Sequence, residues 1–365
     1  MVSGLGATVG EYGLARSIVN LISALSSVPA AMITDRYPMK KLILLSLVLD
    51  MLVPLAYLVT VNWQTAALAW IYESIVLKLS GPPLQVIYIA SMKDRDRATG
   101  MGVSATVRSV VGIISPMIAA VLVSYSGGLT AQGIRPVFLI ALIVLVASIV
   151  LLWRRLEEIG IERSSNPFSL RHFADIFRGD EALRRYTIME SMREFVINVV
   201  NPYAILYAVL IKGADAYILG LMSVAELLPM ILFAIPLGRL SDKIGRKKTV
   251  YLFRPVRYAA DIGLILVPNA MWLPVVQFIR GFRLVSQEVS WTAFTHELVP
   301  INKRIRYVTV TTLVNGIGAF AAALLGSYLW ENVLPESLFI FVTVFDACVV
   351  MPLFARIPER RKLDE

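Results

Sequence analysis

Eleven apolar runs follow one another along the chain, each long enough to cross a lipid bilayer and each bounded by charged or turn-forming residues. They lie near 10–34, 42–60, 64–91, 99–125, 135–153, 184–210, 215–239, 249–268, 271–298, 305–331 and 335–356. A crossing takes about 20 apolar residues as a helix, because the lipid interior offers no water to backbone N–H and C=O groups. The runs consume most of the 365 residues and leave little for a soluble domain. The expected fold is therefore all-α, a polytopic membrane protein. Only 17% of the residues are charged, against about 25% in soluble domains.

Composition also excludes several chemistries. A single cysteine, Cys348, rules out an intramolecular disulfide, and two histidines, His172 and His296, argue against a histidine-rich metal site. Neither a P-loop nor a Rossmann glycine signature is present. No cofactor and no metal is expected. The net charge of +9 raises nucleic acid as a partner, but the position of the charge answers otherwise. Alternate loops carry 25 of the 35 basic residues, while the opposite loops hold only Arg135 and Lys212. That asymmetry records topology, so the basic loops and the C-terminus are expected in the cytoplasm, with no nucleic-acid partner.

An internal repeat appears at a constant offset of 207 residues. Asp35-Arg36-Tyr37-Pro38-Met39-Lys40-Lys41 falls on Asp242-Lys243-Ile244-Gly245-Arg246-Lys247-Lys248. Gly13 falls on Gly220, Pro29 on Pro236 and Arg97 on Arg304, without a gap. The first five runs thus repeat as the last five, which divides the chain into a five-helix N-terminal bundle (1–153), a cytoplasmic linker (154–183) and a six-helix C-terminal bundle (184–365). Within the linker, Phe168, Leu170, Phe173, Ile176 and Phe177 recur at three- and four-residue steps. The pattern suits an amphipathic helix on the inner membrane face; a plain tether is the other reading.

Gly238-Arg239-Leu240-Ser241-Asp242-Lys243-Ile244-Gly245-Arg246-Lys247-Lys248 resembles the loop signature of the major facilitator superfamily of secondary transporters, and the resemblance covers nearly the whole chain. The first-half copy has Ala31 and Pro38 where glycines are usual. Residues 112–120 carry serine and alanine at the glycines of the family's antiporter motif, so no exchange direction is read from them. The resemblance implies two six-helix bundles that rock about a central cavity, with the loop aspartates meeting helix ends of the other half. A cytoplasmic gate is accordingly expected at Asp35, Arg36, Lys40, Lys41, Gly238, Asp242, Lys243, Gly245, Arg246 and Lys247. An aspartate beside a helix N-terminus gains about 0.3–1 kcal/mol, a size suited to a latch that opens, while the basic side chains stay among the headgroups. The alternative is that these loops only fix topology.

Ionisable groups inside the apolar runs carry the rest, since each costs about 2.5–3.5 kcal/mol at the bilayer centre and needs a partner or water. Glu73 and Arg280 lie at equivalent positions of the repeat with opposite sign. They are placed to pair across the cavity, to face a substrate, or to form a static ion pair. Arg280, Arg283, Gln287 and Trp291 share one helical face and are the expected substrate contact. In the run 184–210, Glu190, Arg193, Glu194, Asn198 and Asn201 form one polar stripe. Two carboxylates four residues apart favour a proton on one of them, as proton coupling needs, and Arg193 within a turn opposes it. Glu226 is a further coupling candidate, with structural pairing the other reading for each. Arg254, Arg257 and Asp261 are assigned to structure, the arginines close enough to the helix end to snorkel.

The function expected is secondary active transport of a small solute across the cell membrane by alternating access, with protons as coupling ion, a lipid bilayer as surroundings and a monomeric chain. The alternative is an integral membrane enzyme or lipid-handling protein, which needs a nucleophile or metal constellation at one depth. His296 with Glu297 is read instead as a helix terminus at the interface. The offset also leaves the sixth run without a partner: its counterpart would begin at −23. The expected chain is thus a twelve-helix fold minus its first helix, with a genuine eleven-helix variant as the competing reading.

Overall fold

The computed structural model describes residues 2–90, 97–156, 181–291, 294–295, 298–299 and 304–357. Among them the chain is all-helical. The elements are α1 (Val2–Leu5), α2 (Val9–Arg36), α3 (Met39–Asp50), α4 (Leu52–Val59), α5 (Trp63–Ala90), α6 (Arg97–Tyr125), α7 (Arg135–Arg155), α8 (Glu181–Leu210), α9 (Ala216–Ile244), α10 (Arg246–Leu266), α11 (Leu273–Ser286), α12 (Arg304–Asn332), α13 (Ser337–Phe345) and α14 (Met351–Ala355). The linker reading over 157–180 lies outside the described residues, as does that for His296 and Glu297.

Local chemistry sets the boundaries. Thr8 and Glu11 form a capping box at the start of α2, the Thr8 hydroxyl accepting from Glu11 N at 3.1 Å and the Glu11 carboxylate from Thr8 N at 2.8 Å. Asp215 caps α9 by accepting from Ile218 N at 2.8 Å. The second apolar run breaks at Met51 into α3 and α4 because Pro54 has no N–H for the Asp50 carbonyl. Gly245, at φ +98°, turns the chain from α9 into α10 in a conformation side chains rarely adopt. Two π-helical turns interrupt the later runs: Gln287–Trp291 continues α11, and Asp346–Val350 joins α13 to α14. Such turns cluster at functional positions.

Seven stretches among the described residues are long and apolar enough to cross a membrane: Val9–Thr34, Met39–Val59, Thr106–Tyr125, Arg135–Arg155, Ala216–Ile244, Val310–Asn332 and Ser337–Ala355. The chain is a multi-pass membrane protein. Helices α5, α8, α10 and α11 are outside that set, and the last three hold the five arginines that meet in the C-terminal half.

The halves meet through α2 against α12 and α6 against α9. Small residues let the backbones approach: a Cβ on Gly316 would strike the Ala24 methyl, one on Gly13 the Ser327 side chain, and one on Gly220 the Ala120 methyl. Asn20 Nδ2 donates to Ala319 O at 3.1 Å, and Gly10 N donates to the Glu331 carboxylate at 2.5 Å. The contacts of Gly10, Gly13 and Gly220 lie toward the helix ends away from the basic loops, while Ala24–Gly316 and Asn20–Ala319 meet near mid-helix.

Candidate functional site

Helix α8 carries its polar residues at three- and four-residue steps, so they stack on one face. At its centre Arg193 is 3% exposed. Its Nε and Nη2 form a fork on Glu190, at 2.9 and 2.8 Å, and Nη2 also reaches Glu194. Nη1 donates to Gln287 Oε1 at 2.8 Å, and the guanidinium lies 4.7 Å from the Trp291 ring centroid. Trp291 in turn donates its indole N–H to Glu190 at 2.7 Å. One arginine thus binds Glu190 and Glu194 of its own helix and the π-helical end of the α11 segment. Bidentate geometry of this kind suits arginine and not lysine.

A second group lies on α10, α11 and the π turn before α14. Asp346, fully buried, accepts from Tyr258 Oη at 2.7 Å and faces Arg254 and Arg257, each at 3.5 Å. Arg257 also approaches Asp261 at 3.5 Å, and Arg280 lies 3.3 Å from the same carboxylate. Arg280 donates to Asn201 Oδ1 at 2.9 Å, which ties this group to α8. Arg283 pairs with Glu226 on α9 at 3.3 Å. Gly281 permits that reach, since a Cβ there would run into the Glu226 backbone. Five arginines and five carboxylates therefore share the interior of one half, where an unpaired charge would be costly.

Several expectations need correction. The carboxylate beside Arg280 is Asp261, not Glu73, which accepts from Tyr57 Oη at 2.9 Å. Equivalent positions of the repeat find partners within their own halves. Arg254 and Arg257 do not snorkel: they turn inward because the buried Asp346 needs counter-charge. Lys247 is engaged within its own half. Its Nζ donates to Ala355 O at 2.8 Å and Ile357 O at 2.7 Å, capping the last helix of the same half. Asn198 spends its amide on the Glu194 backbone carbonyl, at 2.8 Å.

Among the other expected gate residues, Asp242, Lys243 and Lys41 are exposed, and Lys40 is half-buried. Gly238 lies inside α9, Gly245 makes the turn already described, and Arg246 begins α10. The side chains of Asp35 and Arg36 lie outside the described residues.

Sequence reasoning missed Asp346, although it is the single charged residue between Glu336 and Arg356. That isolation was the available signal. It also missed Arg16, whose guanidinium lies 4.9 Å from the Trp70 ring centroid while Tyr12 stacks on the same indole at 5.8 Å. Arg16 Nε is buried without a hydrogen-bond partner. A cavity of about 460 Å³ lies between α2 and α8, lined by Tyr12, Arg16, Asn201, Leu206 and Leu219. Its size falls within the range of small-molecule sites. Among the described residues, no group of three or more His, Cys, Asp or Glu is placed to hold a metal ion.

Comparison with known proteins follows the same lines. A putative metabolite transport protein of Bacillus subtilis (strain 168), YfiG, is 32% identical over 117 residues, 31% of this chain and 24% of that protein. The major myo-inositol transporter IolT of the same organism is 28% identical over 122 residues, 32% of this chain and 26% of that protein. The match thus spans about a quarter of the length of these curated relatives. The crystal structure of a POT family transporter in complex with 5-aminolevulinic acid superimposes with a TM-score of 0.75 at 16% identity, covering 96% of this chain and 88% of that one. At that identity the likeness speaks for the fold. The family model of the Major Facilitator Superfamily matches residues 1–189 and again 186–365. With both halves matched, the chain belongs to the Major Facilitator Superfamily of membrane transporters.

Proposed function

We propose that the chain is a secondary active transporter, moving a small polar solute across the cell membrane by alternating access with protons as the coupling ion. The observation that carries this reading is the cavity at the seam of the halves. Tyr12 and Arg16 come from one half and Asn201 and Leu219 from the other, so rocking of one half against the other rebuilds the site. The small-residue contacts near one end of the seam and at mid-helix join the halves by surfaces able to part. In this reading eleven helices form two pseudo-symmetric bundles, the basic loops and C-terminus face the cytoplasm, and the monomer is the working unit. Asp35 and Asp242 act at the cytoplasmic gate.

Tyr12, Arg16 and Asn201 line the cavity with hydrogen-bonding groups, a combination suited to a hydroxylated solute. Glu73, Glu190, Glu194 and Glu226 are the candidate proton carriers. A proton arriving on Glu194 leaves Arg193 forked on Glu190 alone, which changes what α8 offers to the π turn.

The test is accumulation of polyols and sugars in proteoliposomes, with and without an inward proton gradient, for the wild type and the four single Glu→Gln variants. At least one variant is expected to lose tenfold or more of its gradient-driven uptake. If all four keep concentrative, proton-dependent uptake, coupling through these carboxylates is wrong. If the wild type accumulates no solute under either condition, the transport reading itself loses its support.

A further inference from the structure

We infer that the C-terminal half holds a chloride-sized anion among four arginines. A cavity of about 20 Å³ lies within this half, and Arg193, Arg254, Arg257, Arg283, Ser286 and Gln287 contribute to its wall. That volume accepts a single water-sized group. Among the described residues that line it none is acidic; the carboxylates stand behind the arginines. Glu190 and Glu194 hold Arg193 from its own helix, Glu226 holds Arg283 from α9, and Asp346 lies against Arg254 and Arg257 from the π turn.

The distribution of charge leaves a local excess. Asp346 is shared by two arginines, both at 3.5 Å, and also accepts from Tyr258. Arg254 is thereby under-compensated, and its Nη2 is a buried nitrogen with no hydrogen-bond partner. Arg283 Nε is buried and unpartnered in the same way. Buried donors of charged groups are rarely left without acceptors.

A water molecule there can accept from two of these nitrogens and donate to Ser286 or Gln287, but it brings no negative charge. A halide accepts from every side and donates nothing. It also supplies the negative charge that Arg254 lacks, in surroundings where the effective dielectric is low. The site does not depend on the transport reading, because binding is measured without solute movement.

The experiment uses the purified full-length chain. Thermal unfolding is followed in sodium chloride against sodium gluconate at matched ionic strength, and crystals grown in sodium bromide are measured at the bromine absorption edge. Chloride is expected to raise Tm saturably by a few degrees over gluconate, as a ligand binding only the folded state must. Arg254→Met is expected to weaken the halide response at least tenfold, and a bromide peak is expected within hydrogen-bond distance of Arg254. Should Arg254→Met fail to fold, the bromide peak in the wild type decides alone. Equal unfolding curves in chloride and gluconate, or no bromide peak beside Arg254, would overturn the proposal.

Discussion

The two halves share a repeat in sequence and differ in what fills them. In the C-terminal half a large buried cluster runs through Leu183, Tyr186, Val199, Tyr203, Trp291, Phe339 and Phe354. In the N-terminal half the buried cluster is Ile43 and Leu47, with Met39, Leu145, Ile149, Leu152 and Leu156 packed on it, and α7 has no buried residue. The ion pairs follow the same division: Arg193, Arg254, Arg257, Arg280 and Arg283 find their carboxylates within the C-terminal half, while Glu73 faces a tyrosine. A repeat shared in sequence does not fix the polarity of the interior. Two bundles of like topology can divide the labour, one holding charge and the other offering apolar surface to lipid.

The strongest challenge to that comparison is Arg193→Met. It leaves Glu190 and Glu194 without their shared partner and is expected to cost about 3–5 kcal/mol of stability, read from denaturant unfolding in detergent. A loss below about 1 kcal/mol would mean that the buried network does not distinguish the halves. Next comes Gly316→Leu, which puts a side chain where the Ala24 methyl stands. Overpacking of this kind costs about 1–3 kcal/mol, and it falls on the seam. Distance measurements between labels on α2 and α12 should show the seam widened, with transport slowed tenfold or more; unchanged distances would remove the seam from the mechanism.

A double-mutant cycle of Asp346→Leu with Arg257→Met sharpens the picture inside the C-terminal half. Coupling of about 0.5–3 kcal/mol is expected for charges in one network, whereas additivity would show that their proximity does no energetic work. The smallest effect belongs to the N-terminal half. Tyr57→Phe removes the phenol that donates to Glu73 and should cost about 1 kcal/mol, in the same unfolding assay. A loss as large as that of Arg193→Met would erase the contrast between the halves.

Much of this architecture was legible because the bilayer leaves a chain few options. Apolar runs of spanning length and the Gly238–Lys248 signature each express a constraint that acts locally. The stripe on α8 was legible too, since Glu190, Arg193 and Glu194 lie within one turn. What escaped depended on contacts between distant helices. Asp346 draws Arg254 and Arg257 inward from about ninety residues away, and no periodicity within α10 reveals a counter-charge on another helix. The partner of Arg280 was mistaken for the same reason: the 207-residue offset relates positions by symmetry, and symmetry-related residues need not touch. Arg16 and Trp70 lie on separate helices and show themselves only when α2 packs against α5.

The π turn at Gln287–Trp291 has a consequence for how α11 is shared. One residue more per turn shifts the phase of the helix beyond it relative to the part before. Arg280 and Arg283, ahead of the turn, address Asp261 on α10 and Glu226 on α9. Gln287 and Trp291, within it, address Arg193 and Glu190 on α8. A single continuous backbone thus speaks to three neighbours in two registers. A change of one residue in its winding would rotate the second set of partners against the first, making this short stretch the place where a rearrangement on α8 can be passed along α11 without moving the whole helix.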